Sequence, residues 1–242
     1  MTLARGVEIK ACTTNSEFSE CVGLQRAVWQ FADLDIVTPD LLVVTAKTGG
    51  QVLGAFDHGR MIGFLYSVPA LRDKLVYLHS HMLAVLPEYQ NQGIGRRLKL
   101  AQRDEALSRE IKLIEWTFDP LELKNAFLNI EKLGAIVRRY NPNQYGTTSS
   151  PLHGGLPTDR CIAEWWIASP RAAGQRAAHP ETAERISYPA DIARIRAEEP
   201  ARAREIQQAN AEKFLDAFAR GLAVTGFART ETEGTYLLEP WQ

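Results

Sequence analysis

The run from His79 to Gly95, HSHMLAVLPEYQNQGIG, constrains this chain more than any other stretch. It reads as a strand that ends at Pro87, turns through polar residues and glycines, and enters a helix near Ile94. Gly93 and Gly95 carry no Cβ, so the backbone of Gln90-Asn91-Gln92-Gly93-Ile94-Gly95 can come close to a ligand. The free N–H groups of the first helical turn, with the helix dipole behind them, favour an anion there. A diphosphate is the natural occupant. Gly95 is followed by Arg96-Arg97 rather than Lys-Ser/Thr, and the third glycine of a dinucleotide fingerprint is absent, so ATP and NAD fit poorly. His79 and His81 stand two apart in the strand, and the alternation predicts that both project from the face of Leu83 and Val85. An imidazole titrates near neutrality and can take a proton from an amine, directly or through water. The plainer reading is a pair of packed, hydrogen-bonded sheet histidines.

The chain has 242 residues, enough for a sizeable core, and a formal net charge of -1 with Lys and Arg scattered along it. Nothing in that pattern suggests a nucleic-acid backbone or an anionic membrane as partner. The first residues lack a signal-peptide apolar region and no apolar run is long enough to span a bilayer, so a cytoplasmic protein is expected. Cys12, Cys21 and Cys161 form no metal-ligand or disulfide spacing; they read as reduced packing residues, and no metal is expected.

The expected order of elements begins with a strand at Val7 to Ala11 and a helix capped by Thr13 or Thr14 that runs to about Trp29, with Phe18, Cys21, Val22, Leu24 and Val28 as its apolar stripe. Pro39 opens a second helix. Strands Val52 to Phe56 and Met61 to Val68 flank a tight turn at Gly59; a loop carrying Pro69 leads to a strand from Leu75 to Leu86. A helix from Ile94 to Arg109, facing a sheet through Ile94, Leu98 and Ala101, precedes a strand from Lys112 to Phe118. A helix from Leu123 to Leu133 stops at Gly134, and strands Ala135 to Tyr140 and Cys161 to Ile167 enclose the long polar loop Asn141 to Arg160. The linker-like stretch Ser169 to Glu184 marks a boundary between residues 1–168 and a C-terminal α/β extension, 169–242, expected to pack on the first part. In it, strands near Arg185 to Tyr188, Leu222 to Arg229 and Thr235 to Glu239 accompany a helix from Pro200 to Arg220, with Ala211, Phe214, Leu215, Phe218 and Leu222 as its buried side.

With Leu83-Ala84-Val85-Leu86-Pro87 ahead of Gln90-x-x-Gly93-x-Gly95, the sequence resembles the GCN5-related N-acetyltransferase (GNAT) superfamily, whose Q/R-x-x-G-x-G/A motif follows such a strand. The resemblance covers Val7 to Ile167. It implies an α/β fold with a mixed central sheet, helices on both faces and a splayed fourth strand. It also implies acetyl-CoA or another acyl-CoA as co-substrate, with the backbone at Leu83 and Val85 meeting the pantetheine and Gln90 through Arg96 holding the phosphates. Residues 125–135 look like the family's N-x-x-A-x-x-x-Y-x-x-x-G-F helix, with two departures: Ile130 occupies the position of the tyrosine that would protonate the departing thiolate, and Leu123 that of the starting asparagine. Asn125 or Asn129 is the substitute cofactor contact. The His-x-His-x-Leu-Ala-Val run resembles the pair in arylalkylamine N-acetyltransferases, which makes His79 and His81 the catalytic candidates.

Around the acceptor, Arg160 or Arg138 can clamp a carboxylate, and Tyr140 or Tyr145 can stand in for the missing tyrosine. Glu115 can orient a histidine or a water, although an ordinary half-exposed strand carboxylate is the simpler reading. Trp165-Trp166 and the Trp29/Phe31 region can wall a pocket or simply fill the core. The expected function is transfer of an acetyl group, or a succinyl or other acyl group, to the amine of a small molecule or amino acid, with Tyr145 and Arg160 binding the acceptor. The alternative is a catalytically inactive, coenzyme A-binding regulatory or interaction module. A homodimer stays open.

Overall fold

The computed structural model describes residues 6–146, 154–175 and 182–241. The chain divides into two compact units, 1–115 and 116–242, with the division inside one strand.

In the first unit, β1 (Glu8–Ala11), β2 (Gln51–Asp57), β3 (Arg60–Arg72), β4 (Leu75–Val85) and the start of β5 (Leu113–Phe118) lie side by side in that order, antiparallel except for the parallel β4–β5 pair. The turn between β2 and β3 holds His58 at φ 47° and Gly59 at φ 84°, the two left-handed positions of a tight hairpin. Helix α1 (Asn15–Trp29) starts with the full reciprocal cap: Thr14 Oγ1 accepts from the Glu17 N–H, and the Glu17 carboxylate accepts from the N–H groups of Thr13 and Thr14. It buries Phe18, Cys21, Val22 and Leu24, while Val28 is half-buried. Helix α2 (Pro39–Lys47) begins at its proline as expected.

The Thr13 N–H, then Lys10 at 2.9 Å, hold the Glu17 carboxyl down at about 2 against an ordinary 4.5. A carboxylate depressed in the folded state adds stability above its unfolded pKa and loses it as pH falls from about 4.5 toward 2. Glu17→Gln should therefore cost about 1–2 kcal/mol at neutral pH. In urea unfolding the difference from wild type should vanish near the lower end of that window.

Two departures from the sequence reading bear on the site. Pro69 lies inside β3, opposite Leu78, and not in a loop; the hairpin turn is at Asp73 and Lys74, both at positive φ. β2 pairs with β3 only as far as Ser67, so the missing N–H of Pro69 faces an unpaired edge, where proline is tolerated. The second departure is a bulge in β4. Tyr66 pairs with Met82 and Ser67 with Ser80, so β3 advances one residue while β4 advances two and His81 is the extra residue.

Helix α3 (Ile94–Ser108) buries Ile94, Leu98 and Ala106 together with Lys99 and Gln102; Ala101, expected to face the sheet, is only half-buried.

In the second unit the strands run β7 (Arg160–Trp166), β6 (Ile136–Asn141), β9 (Leu222–Arg229), β10 (Glu233–Pro240), β8 (Glu184–Pro189). β9 joins β6 through Val137 and Val224 and forms a hairpin with β10. A short helix α4 (Leu123–Ala126) runs directly into π-helical turns at Phe127–Lys132 and stops at Gly134, whose φ of 79° is the left-handed terminator expected. Helix α5 (Ile192–Glu198) was not legible in the pattern; α6 (Pro200–Ala219) was. The buried side of α6 carries Ala203, Gln207, Asn210, Ala211, Phe214 and Ala217, whereas Leu215 is exposed. The stripe is centred on Phe214, which stacks on Tyr140 at 5.3 Å and meets Tyr236 edge-on at 5.2 Å, and Leu215 lies about 100° round the helix from it. All three cysteines are free and buried. No helix among the described residues is long and apolar enough to cross a membrane.

Candidate active site in the first unit

The bulge at His81 decides what β4 presents. Before it the partners are Leu65–Leu83 and Tyr66–Met82; after it they are Ser67–Ser80 and Val68–His79. β3 alternates regularly through this region, so Ser80 shares a face with Leu83 and Val85, and His79 shares the other with Met82 and Ala84. Side-chain contacts agree. A Cβ on Gly95 of α3 would lie 3.7 Å from Leu83 and 4.0 Å from Val85, and Lys99 of the same helix reaches Ser80 at 3.0 Å. The His81 ring instead meets Tyr66 edge-on at 5.9 Å and lies 6.2 Å from the ring of His79. The expectation that both histidines share the face of Leu83 and Val85 is therefore corrected. One extra residue reverses the alternation, and the histidines lie across the sheet from α3.

That histidine face also carries α1 and α2, through Trp29 on Phe64 and through the Thr45–Tyr66 hydroxyl contact at 3.1 Å. Glu115, the partner of His79 in the β4–β5 ladder, lies on it too. Glu115 is not the half-exposed carboxylate expected: it is 2 % exposed and held by both guanidinium nitrogens of Arg72, at 2.8 and 2.6 Å. Arg72 also covers the ring of Tyr77. The His79 pKa is lowered from the ordinary 6.5 by burial first, then by the charges of His81 and Lys99, with Glu115 opposing. Burial lowers His81 as well. The His81 ring reaches solvent, so that shift is the weaker support for a free base, and His79 carries the argument.

β4 pairs with β5 only at Leu78 and His79. From Ser80 onward its outer edge has no ladder partner among the described residues. This edge leads to the turn before α3. There Gln90 donates to the Val85 carbonyl at 3.0 Å, Asn91 takes φ 61°, and Gly93 caps the helix at φ 82°, where any L-residue would be strained. No side chain caps α3 and its first turn has no acidic residue, so the N–H groups around Ile94, Gly95 and Arg96 face outward beside the exposed guanidinium of Arg96. Gln92 turns back to the Glu88 carbonyl. Unsatisfied N–H groups and the positive end of the helix dipole make this end of the unit electropositive.

The remaining candidates belong to the second unit. Asn125 is exposed in α4, Asn129 is buried in the π-helical turns, and Ile130 is fully buried as a core residue. Tyr145 bonds to the Thr117 hydroxyl at 2.8 Å, and the Arg160 guanidinium lies 5.4 Å from its ring, so this expected acceptor pair does come together. Arg160 is buried and donates to the Asp159 carbonyl. Tyr140 donates to Asp159 at 2.7 Å, and burial raises its pKa, so it is tied up as a structural residue. Arg138 is spent on Glu164 at 2.5 Å. Trp165 packs edge-on against Trp116 inside the core. Thr147 to His153 of the polar loop lie outside the described residues. The buried polar set Gln51, Ser67, Ser80, Lys99 and Gln102 had not been singled out from the sequence, and only the helical spacing of Lys99 and Gln102 with Leu98 could have hinted at it.

Residues 48–129 match the family model described as an acetyltransferase (GNAT) domain. Over that segment the sequence carries the pattern of a GNAT acetyltransferase domain. In fold it is similar to the ribosomal-protein-S18-alanine N-acetyltransferase of Escherichia coli, at 18% identity and a TM-score of 0.54 over 72% of this chain and 97% of that one. It is likewise similar to an aminoglycoside 6'-acetyltransferase type Ii (19% identity, TM-score 0.54, 67% and 98% covered). A GNAT family acetyltransferase from Elizabethkingia anophelis with acetyl-CoA bound also matches (17% identity, TM-score 0.50, 67% and 99% covered). No curated protein matches the sequence. The fold thus has the expected mixed sheet, helices on both faces and a fourth strand that parts from the fifth, with additional C-terminal strands.

Proposed function

We propose that this protein is an acyl-CoA-dependent N-acyltransferase that moves an acetyl group to the amine of a small molecule or amino acid. The observation that carries the reading is β4 itself. Its unpaired edge leads to an uncapped, positively flanked helix N-terminus, and its bulge turns two histidines to the opposite face. In this reading the β4 backbone at Leu83 and Val85 meets the pantetheine, and Gln90 through Arg96 hold the phosphates. The acyl thioester supplies the electrophile. His79, with His81, takes the ammonium proton of the acceptor so that the free amine attacks, and backbone N–H groups near Leu83 stabilise the oxyanion. Asn125 or Asn129 is assigned to the cofactor, and Tyr145 with Arg160 to an acceptor carboxylate. Succinyl and longer donors are alternatives to acetyl. A cytoplasmic location and a division into residues 1–168 and an extension, 169–242, belong to the same proposal; the neighbours' coverage of about two thirds of the chain supports that division.

Thiol release from acetyl-CoA across a panel of amines and amino acids tests this. At least one acceptor should raise the rate about tenfold or more over water, since positioning and base catalysis each exceed that. The second reading, a coenzyme A-binding module without catalysis, is favoured by one observation: Ile130, where the family's tyrosine would stand, is fully buried and has no hydroxyl. Coenzyme A affinity by calorimetry with no acceptor-stimulated release would select it.

A further inference from the structure

Behind the histidine strand, on the α3 face, five polar side chains are buried together: Gln51, Ser67, Ser80, Lys99 and Gln102, none more than 6 % exposed. Their hydrogen bonds run in one direction. The Lys99 Nζ donates to Ser80 at 3.0 Å and to the Gln102 side-chain carbonyl at 2.9 Å. The Gln102 amide donates to the Gln51 carbonyl oxygen at 3.1 Å, which also accepts from Ser67 at 2.9 Å. The Gln51 amide in turn donates to the Gln102 backbone carbonyl at 3.1 Å and to the Glu105 carboxylate. Burial pushes the Lys99 pKa well below the ordinary 10.5, and the amine is linked through two amides of α3 and β2 to the Glu105 carboxylate, which also pairs with Arg109 at 2.8 Å.

We propose that Lys99, Gln102 and Gln51 are positioning residues that pin the β4 bulge, and with it His79 and His81, on the acceptor face. This deepens the acyltransferase reading and rests on it. The argument is one of register. Ser67 and Ser80 are the first pair after the bulge, and as small polar residues they offer little packing to fix where the extra residue sits. A shift of the bulge by one position reverses the face of every side chain it passes. An apolar side chain would fill the depth of Lys99 at less desolvation cost, as Leu98 does beside it, but it would leave Ser80 unheld. Hydrogen bonds to both serines specify one register, the best-attested use of buried polar groups. The same lysine also bears on the chemistry. His79 is faced by His81 and Tyr77 from its own strand, by Tyr66 and Arg72 from β3 and by Glu115 from β5, with Lys99 of α3 behind the sheet. Lys99 is one of the groups that lower the His79 pKa, so its removal eases protonation of His79.

The test is Lys99→Met in the full chain, read by coenzyme A calorimetry, by kcat and KM for acyl transfer, and by NMR titration of the histidine ring protons. Coenzyme A affinity should stay within about twofold, kcat should fall about tenfold or more because the base is displaced, and the His79 midpoint should move to higher pH. A folded Lys99→Met protein with wild-type kcat and wild-type histidine midpoints overturns the proposal. Should that variant not fold, Ser80→Ala, which removes one acceptor only, is expected to lose about threefold to tenfold in kcat at unchanged coenzyme A affinity. An unchanged kcat there has the same adverse meaning. If the wild type transfers no acyl group to any amine, the acyltransferase reading fails by itself, and the histidine titrations still decide whether Lys99 sets the site.

Discussion

His79→Ala is expected to reduce kcat for acyl transfer by about 10²-fold or more, the usual worth of a positioned base, while coenzyme A affinity stays within about twofold. The asymmetry follows from the bulge: Leu83 and Val85 face the other side of β4 and Gln90 through Arg96 lie beyond its end, so truncating an imidazole removes none of them. His81→Ala should cost less, about tenfold, because its ring reaches solvent and water can replace it. The pH dependence has a definite sign. Burial holds His79 below 6.5, so it is a free base throughout the neutral range, and wild-type activity should fall only as pH drops below that value. Stopped-time thiol release for wild type and both variants checks this. Equal kcat in wild type and His79→Ala would remove the histidine from the mechanism.

Arg72→Met should strongly destabilise the first unit. It leaves the Glu115 carboxylate, 2 % exposed, without its bidentate partner beside His79. Breaking a buried pair from one side costs about 3–5 kcal/mol; with the Arg72 side chain 34% exposed, solvent reaches part of this pair and we expect about 2–4. Thermal unfolding should therefore shift down by about 5–12 °C. The double variant Arg72→Met/Glu115→Leu should recover most of the loss, since it removes the buried charge along with its bidentate partner. If the double variant is as unstable as the single one, the loss comes from packing on Tyr77 rather than from the charge.

The elements that local chemistry specifies were legible in the sequence. Thr14 announces the start of α1, Pro39 that of α2, Gly134 the stop after the π-helical turns, and Gly93 with Gly95 the start of α3. Each is a short-range signal, set by a cap or by a backbone angle that only certain residues adopt without strain. The turn proposed for the coenzyme was readable for the same reason, because its geometry is mostly backbone. What tertiary structure alone decided is which way the side chains face. A bulge is a property of two strands, and nothing in the HSHMLAV run states that Ser67 will meet Ser80 and leave His81 over. Nor does the pattern of α3 say that Lys99 and Gln102 turn inward, since their burial depends on acceptors supplied by β2 and β4. The sequence alone determined that β4 ends in a glycine-bearing turn into a helix; the pairing of β3 with β4 put the two histidines across the sheet from that helix, because one extra residue in a strand of period two exchanges its faces.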